Sequence, residues 1–510
     1  MSEYWTSTAF AGLLLGLSVY VLKSIFQPSP VYPPGPRGLP LVGNALQVPQ
    51  KHTWLKFSEW AKEYGDLVYL KVLGQPYIVI NSAIVAKDLL DKRSAIYSDR
   101  PHFVFAGDLV GYDETFVLAP YGHNWKKQRR LVAQDFSPST VPRYFGLQEN
   151  EARRLVRNVI GNPGSFSSEI KLRIATVIIR VTYGYYLKGD DDPFFTMPLR
   201  AMENFSRASA PGNWLVDVLP VLKDMPAWMP GSGFLKTATQ WRKVVWDASW
   251  NPYLWSKKGL ETGEAFKPNL CGSVVAESDG QLSKDDELQL VWAASAVMGG
   301  GMDTNMSAVL TFFLMMTLHP EVQTKARAEI DAVIGQDRLP TISDRASLPY
   351  VRSVMTETFR WCPPIPLGIA HATSDIDIYK GYTIPKGSWV LPNVWHMLHD
   401  PESYPDPETF KPERYKGSDV EMRKVTDLVF GFGRRACPGF HFADGTIFAI
   451  ISTVLSTCDV VPEIDDNGKA LVPEVDYTSG TIVFPQPFKC RLVAHSSQAL
   501  AMLSAEMERL

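Results

Sequence analysis

Three hydrophobic patterns run along the chain, and each predicts a different element. The first is an uncharged run, "YWTSTAFAGLLLGLSVYVL", from Tyr4 to Leu22, set between Glu3 and Lys23. As a helix it rises about 28 Å, roughly one hydrocarbon core. Tyr4, Trp5 and Tyr20 stand near its ends, where interfacial aromatics sit. No basic segment precedes it, so the run predicts a transmembrane anchor over residues 4–22 rather than a cleaved leader. Lys23 and Arg37 follow it, which places the rest of the chain in the cytosol. The second pattern is alternation. "DLVYLKVLGQPYIVINS", Asp66 to Ser82, predicts two strands joined by a Gly-Gln-Pro turn. The third has a helical period. Val322, Ala326, Ile330 and Val333 share one face of a helix that ends at Gly335. Val291–Met316 is long, apolar and free of proline, and predicts a central helix.

Between these elements the punctuation is uneven. The prolines of "QPSPVYPPGPRGLPLVGN" predict a stiff linker at 27–44, with the apolar "LPLVG" docking on the body. A Pro- and Gly-rich meander runs from Trp395 to Gly439. No later boundary is visible, so residues 45–510 are expected to form one large domain, mainly α with small β-sheets.

Charge and cysteine content narrow the function. A formal net charge of −3 gives no reason to expect nucleic acid as a partner. The five cysteines are Cys271, Cys362, Cys437, Cys458 and Cys490, with no CxxC pair. That pattern argues against zinc ribbons, thioredoxin-like motifs and a disulfide framework. Four of them read as small buried hydrophobes. Cys437 differs, because it lies in "FGFGRRACPGF", Phe430 to Phe440. A core thiol needs no such loop, and a nucleophile needs a base, for which His441 is the near candidate. A thiolate ligand to heme iron fits the loop better. Glycines let backbone approach a macrocycle, Arg435 suits a propionate, and Pro438 is placed to open the following apolar helix toward the sulfur.

Phe430, Gly433, Arg435, Cys437 and Gly439 together resemble the signature loop of the cytochrome P450 family of heme-thiolate monooxygenases. Other motifs resemble that family in order along nearly the whole chain. "ETFR", Glu357 to Arg360, looks like its ExxR. "FKPERY", Phe410 to Tyr415, looks like its PERF segment, with Tyr415 where Phe is usual. "WKKQR", Trp125 to Arg129, looks like its WxxxR, and "GGMDT", Gly300 to Thr304, like its [AG]GxDT. The resemblance implies the cytochrome P450 fold with an N-terminal transmembrane helix, and heme b with Cys437 as the iron ligand. It implies cofactor contacts from Arg435, Trp125, Arg129, His371, Phe430 and Gly439. Glu357, Arg360 and Arg414 would form a buried ion-pair cluster with a structural role. Thr304 and Asp303 would serve catalysis, the hydroxyl at a dioxygen groove and the acid as a proton relay. The glycines of that helix each cost about 1 kcal/mol relative to Ala, and close packing is the alternative reason for them. Lys126, Lys127 and Arg130 read either as a solvated face or as a contact for an acidic reductase.

No flavin or dinucleotide fingerprint is present. The resemblance therefore implies O2 and NADPH through a separate NADPH–cytochrome P450 reductase, on the endoplasmic reticulum membrane. Pocket walls are expected from His102–Leu118, Asn213–Gly231, Pro364–Ile369 and Tyr477–Val483, all largely apolar, which favours a hydrophobic small molecule. Trp214 and Trp228 read as bilayer contacts or core. The proline-rich segments look most like the fungal secondary-metabolism branch of the family, and a terpenoid substrate is favoured over an aromatic polyketide or an indole. An amine substrate would ask for a carboxylate, for which Asp108 and Asp113 are the loop candidates. A heme isomerase or dehydratase, and a non-catalytic heme sensor, are the competing functions.

Overall fold

A computed structural model describes residues 30–508 apart from 211 and 279. The expected span at 4–22 lies outside the described residues. The elements that position the site are α1 (His123–Asp135), α2 (Phe145–Gly161), α3 (Phe166–Tyr183), α4 (Pro193–Ala208), α5 (Gly233–Thr262), α6 (Lys284–Leu318), α7 (Pro320–Val333), α8 (Pro349–Trp361) and α9 (Phe440–Thr457). The strands are β1 (Leu67–Val72), β2 (Gln75–Ile80), β3 (His371–Ala372), β4 (Asp377–Tyr379), β5 (Tyr382–Ile384), β6 (Trp389–Pro392), β7 (Cys458–Ile464), β8 (Ala470–Leu471) and β9 (Cys490–Ala494). They form three small sheets, ordered β1-β2-β6-β3, β4-β5 and β8-β7-β9. The architecture is mainly helical, as expected.

The predicted central helix extends at both ends to become the 35-residue α6. Ser283 caps it, its hydroxyl accepting from the Asp286 amide at 3.1 Å. Asp285, Asp286 and Glu287 in the first turn complement the helix dipole. Pro320 ends it and opens α7. Apolar almost all round, α6 threads the core and packs on α1, α3, α4, α5 and α9. Among the described residues α9 is the one helix long and apolar enough to cross a membrane, but 72% of it is buried inside the protein. It is a core helix, packed between α2 and α6.

Two local expectations are corrected. The hairpin turn is Leu73–Gly74, with φ of 49° and 94°, a two-residue loop whose twist matches the strands it joins. Gln75 and Pro76 belong to β2. Proline is tolerated there because parallel pairing with β6 begins only at Tyr77 opposite Trp389. On α7, Val322, Ala326 and Ile330 are buried, but Val333 is 48% exposed at the last turn, where the helix outruns its neighbours.

The proline-rich stretch docks along β1. The Tyr69 amide donates to Pro34 O and the Asn44 amide to Lys71 O, and Tyr32 stacks on Tyr69 with centroids 4.7 Å apart. A Cβ at Gly35 or Gly43 would stand 2.0 Å from Tyr69 O or 1.8 Å from Lys71 O, so only glycine permits the approach.

Candidate functional site

The cysteine loop is a hydrogen-bonded coil of backbone. The Cys437 amide donates to Phe430 O at 2.7 Å and the Arg435 amide to Phe432 O at 3.0 Å. Gly433 holds it in place, with φ of 51° and a position where a Cβ would lie 2.2 Å from Leu90 O. Its amide donates to Asp91 Oδ1 at 2.5 Å. Helix α9 starts at Phe440 with Gly439 as its N-cap, so Pro438 precedes the helix rather than opening it. Cys437 carries accessible surface, yet that surface faces an internal cavity of about 310 Å³. Burial pushes its thiol up, while the Gly439 amide and the Arg129 guanidinium pull the other way. Phe430 lines the same cavity and packs edge-on against Phe359 and Phe440. His441 is absent from the cavity wall, which removes it as a partner for the sulfur.

Around one end of the cavity stand Arg435, Arg129, Trp125, His371 and Arg100. Arg435 donates to Ser98 O, Phe116 O and Ala119 O at 2.8–3.0 Å. Arg100 donates to Val117 O, Ile369 O and Ala370 O. Arg129 lies over the rings of Phe116 and Trp125. Among the described residues none of the three is ion-paired with a carboxylate. Burial, then Arg435 and Arg129, hold Arg100 well below its ordinary value. Burial brings Arg435 down to about 10, with Asp99 offsetting part of the effect. Trp125 Nε1 is buried without a partner. His371 is pushed down to about 3 by burial and Arg100, and its Nδ1 meets Tyr97 O at 2.7 Å. That oxygen only accepts, so Nδ1 carries the proton and Nε2 is free to take another when an anion arrives.

This is the chemistry of a site built for a large dianion. Buried cations without counter-charges are costly, and an unpartnered indole N–H beside them asks for an acceptor. The Cys437 sulfur faces the same cavity. Arg100 was not foreseen from sequence. It sits in an ordinary loop, "SDRPH", with no spacing to mark it.

On α6 the three glycines separate by role. A Cβ at Gly299 would come 2.5 Å from Met202 Sδ, and one at Gly301 would come 2.9 Å from Ile178 Cδ1, whereas Gly300 meets nothing within 4 Å. The first and third permit packing of α4 and α3, and the middle one opens onto the cavity. Thr304 lines the cavity and donates to Gly300 O at 2.6 Å. Asn305 donates to Gly301 O at 2.6 Å. Asp303 is 8% exposed and does not line the cavity. Burial raises it to about 7, against a pull from Lys171.

Away from the cavity, Glu357 is the hub of the second arginine group. Arg360 donates to both its oxygens at 2.8 and 3.0 Å, and Arg414 Nε to both at 3.1 Å. The Lys411 amide and the Tyr415 hydroxyl add bonds at 2.9 and 2.8 Å. Remaining guanidinium hydrogens go to Leu398 O, Pro405 O and Thr409 O of the meander.

The expected cavity walls are met unevenly. Tyr112, Thr115, Phe116 and Val117 line it, as do Pro364, Ile365, Gly368 and Ile369. Only Ile482 does so from Tyr477–Val483, and nothing does from Asn213–Gly231. Trp214 instead stacks on Phe105, centroids 3.5 Å apart, while Trp228 is 80% exposed. The missing wall comes from α4 and α5, through Met202, Phe205, Val245 and Ala248. Asp108 is tied to His102 and Lys223, and neither it nor Asp113 lines the cavity. On α1, Lys127 is paired with Asp285 and Asp286, whereas Lys126 and Arg130 are exposed.

Comparison with known proteins gives one consistent result. The family model described as Cytochrome P450 matches residues 33–478. The chain is 56% identical to cytochrome P450 monooxygenase 105 of Postia placenta, covering 92% of this chain and 90% of that one. It is 51% identical to cytochrome P450 monooxygenase 226 of the same organism, over 98% and 95%. Cytochrome P450 monooxygenase claR of Ampulloclitocybe clavipes is 38% identical, over 95% and 90%.

Proposed function

The chain belongs to the cytochrome P450 family, and on that premise we propose that it is a membrane-anchored enzyme oxidising a neutral terpenoid of fungal secondary metabolism. As a cytochrome P450 monooxygenase it is an oxidoreductase using heme iron, O2 and electrons from a redox partner. NADPH–cytochrome P450 reductase is the partner we assign, with the body in the cytosol and one helix at residues 4–22 in the endoplasmic reticulum membrane. The exposed Lys126 and Arg130 on α1 suit an acidic partner.

The observation that carries the reading is a sulfur facing the same cavity as two buried guanidiniums, Arg100 and Arg435, and the half-buried Arg129, none ion-paired with a carboxylate among the described residues. Heme bound against Cys437 supplies oxygen activation. Arg100, Arg129, Arg435, His371 and Trp125 hold its carboxylates and fix its orientation. Thr304 presents a hydroxyl to the cavity, and Asp303, the preceding residue of α6, is buried and stores a proton. Lys171 on α3 offsets part of the rise that burial gives Asp303. The apolar walls exclude bulk water from the reacting carbon. A neutral substrate is favoured because no carboxylate among the described residues lines the cavity, which sets amines aside.

The test is spectral. Heme-loaded protein is expected to give a thiolate-type Soret spectrum that Cys437→Ser abolishes; a thiolate spectrum surviving in the variant would overturn the ligand assignment. A low-to-high-spin shift with terpenoids supports the substrate class, and shifts confined to aromatic polyketides or indoles would replace it. Thr304→Ala is expected to leave NADPH consumption running while product falls at least tenfold and hydrogen peroxide appears. Tight coupling in that variant would remove Thr304 from the proton path.

A further inference from the structure

The hydrogen-bond polarity of the cavity can be worked out from its side chains. Beyond the arginine end, four hydroxyl side chains line it: Tyr112, Thr115, Ser295 and Thr304. Each has one hydrogen to give. Tyr112 gives its hydrogen to Ala201 O at 2.5 Å, Thr115 to Tyr112 O at 2.7 Å and Thr304 to Gly300 O at 2.6 Å. Ser295 meets Ser249 Oγ at 2.7 Å, a contact whose direction is set by the next bond along. Ser249, fully buried, donates to Val245 O at 2.7 Å. Its only hydrogen is thereby engaged, so it must accept from Ser295. Ser295 is then left with lone pairs alone. Asn305 is the remaining polar side chain on this part of the wall; its amide donates to Gly301 O, and its Oδ1 is buried without a partner. The atom left without any partner among the described residues is again an acceptor, and the one uncommitted donor on this part of the wall is the second Nδ2 hydrogen of Asn305.

We propose that this cavity selects a neutral, largely apolar molecule that brings its own hydrogen-bond donor, a hydroxyl or N–H, and that Ser295 and Tyr112 accept from it. The proposal rests on the monooxygenase reading above and deepens it. A ketone or ether of the same skeleton finds no hydroxyl hydrogen to meet it, and away from the second Asn305 amide hydrogen its oxygen is desolvated without compensation. A carboxylate fares worse, since the nearby cations face the cofactor's own anions. The substrate is then an alcohol, phenol or N–H compound, which places this enzyme after a step that has already installed such a group.

Three compounds sharing one sesquiterpene skeleton test this: cedrene with no oxygen, cedrol with a hydroxyl, and cedryl methyl ether with an oxygen but no donor. Dissociation constants are read from the spin-state shift of heme-loaded protein. Cedrol is expected to bind at least fivefold tighter than its methyl ether. Ser295→Ala should erase most of that preference and leave cedrene unchanged. Ser249→Ala is the sharper variant. It removes the acceptor that engages the Ser295 hydrogen, frees that hydrogen for the ligand, and should tighten the methyl ether severalfold. Equal binding of alcohol and ether, an ether preference, absence of any shift with cedrol, or a Ser249→Ala variant indifferent to the ether would each overturn the proposal. A protein with no thiolate-type Soret spectrum would instead mean that the enzyme reading has failed, so the two failures are distinct.

Discussion

Two groups of buried arginines in this protein solve the same electrostatic problem in opposite ways. Around Glu357, Arg360 and Arg414 are satisfied within the chain, with a carboxylate at the centre and meander carbonyls at the rim. Around the cavity, Arg100, Arg129 and Arg435 have carbonyls and rings but, among the described residues, no carboxylate. A charge complete without a ligand is part of the scaffold. A charge left incomplete away from bulk solvent marks where a ligand of opposite sign belongs.

Breaking the complete group should do the most damage. Glu357→Ala leaves two guanidiniums, a tyrosine hydroxyl and an amide without their shared acceptor, an arrangement worth about 3–5 kcal/mol when one partner of a buried pair is removed. The meander would lose its anchor to α8, and the variant is expected to fail to retain heme on purification, as read by the heme-to-protein absorbance ratio. A Glu357→Ala protein with wild-type heme content and unfolding midpoint would remove the distinction drawn above.

The incomplete group should respond with a sign that depends on cofactor. Arg129 is the cleanest probe, because it makes ring contacts and no hydrogen bond to protein among the described residues. Arg129→Met is expected to leave the apoprotein as stable as before, or more so, by relieving repulsion with Arg100 and Arg435. The loaded protein should release heme to apomyoglobin about tenfold faster. A variant equally destabilised with and without heme would make Arg129 scaffold after all.

Asp303 shows a third way to bury a charge, which is to neutralise it. Its carboxyl is raised from 3.8 to about 7 by burial, so between those values the folded state binds the proton more tightly than the unfolded chain. Stability contributed by this group should therefore fall as pH rises from about 4 to about 7 and stay level above. Asp303→Asn should flatten that slope in urea unfolding, be more stable than wild type above pH 7, and lower turnover at least tenfold. A slope unchanged by the substitution would show that Asp303 does not titrate in this window.

How much of this was legible in the sequence depends on how local each feature is. Cys437 with its glycines, Glu357 with Arg360, and Trp125 with Arg129 are marked by spacing within one loop or helix turn; Cys437, Trp125 and Arg129 line one cavity, and Glu357 pairs with Arg360. Arg100 was invisible, because its place at the cavity is fixed by carbonyls of residues 117, 369 and 370 that only the tertiary fold brings together. The α4 and α5 wall was missed for the same reason: no local spacing marks Met202, Phe205 or Val245, and α4 and α5 reach the cavity only through their packing on α6, that of α4 at Gly299. The turn at Leu73–Gly74 was misplaced by one residue because proline is a strong turn signal, and nothing local says that β2 pairs with β6 only beyond it.

The smallest effect should come from the departure the sequence did show. Tyr415 stands where the family usually has Phe, and its hydroxyl donates to Glu357 Oε2 at 2.8 Å from a fully enclosed position. Tyr415→Phe removes that donor but leaves Arg360, Arg414 and the Lys411 amide on the same carboxylate. Losing one hydrogen bond to a charged group costs about 1.5–3 kcal/mol in general. Because Glu357 keeps its other partners and the phenyl ring keeps its packing, the loss here should fall at or below the lower end, near 1 kcal/mol. Chemical denaturation of the loaded protein should show a lowered midpoint with an unchanged slope and unchanged heme content. An effect as large as that of Glu357→Ala would mean the phenol is a hub of the cluster in its own right, and that the guanidiniums alone do not complete it.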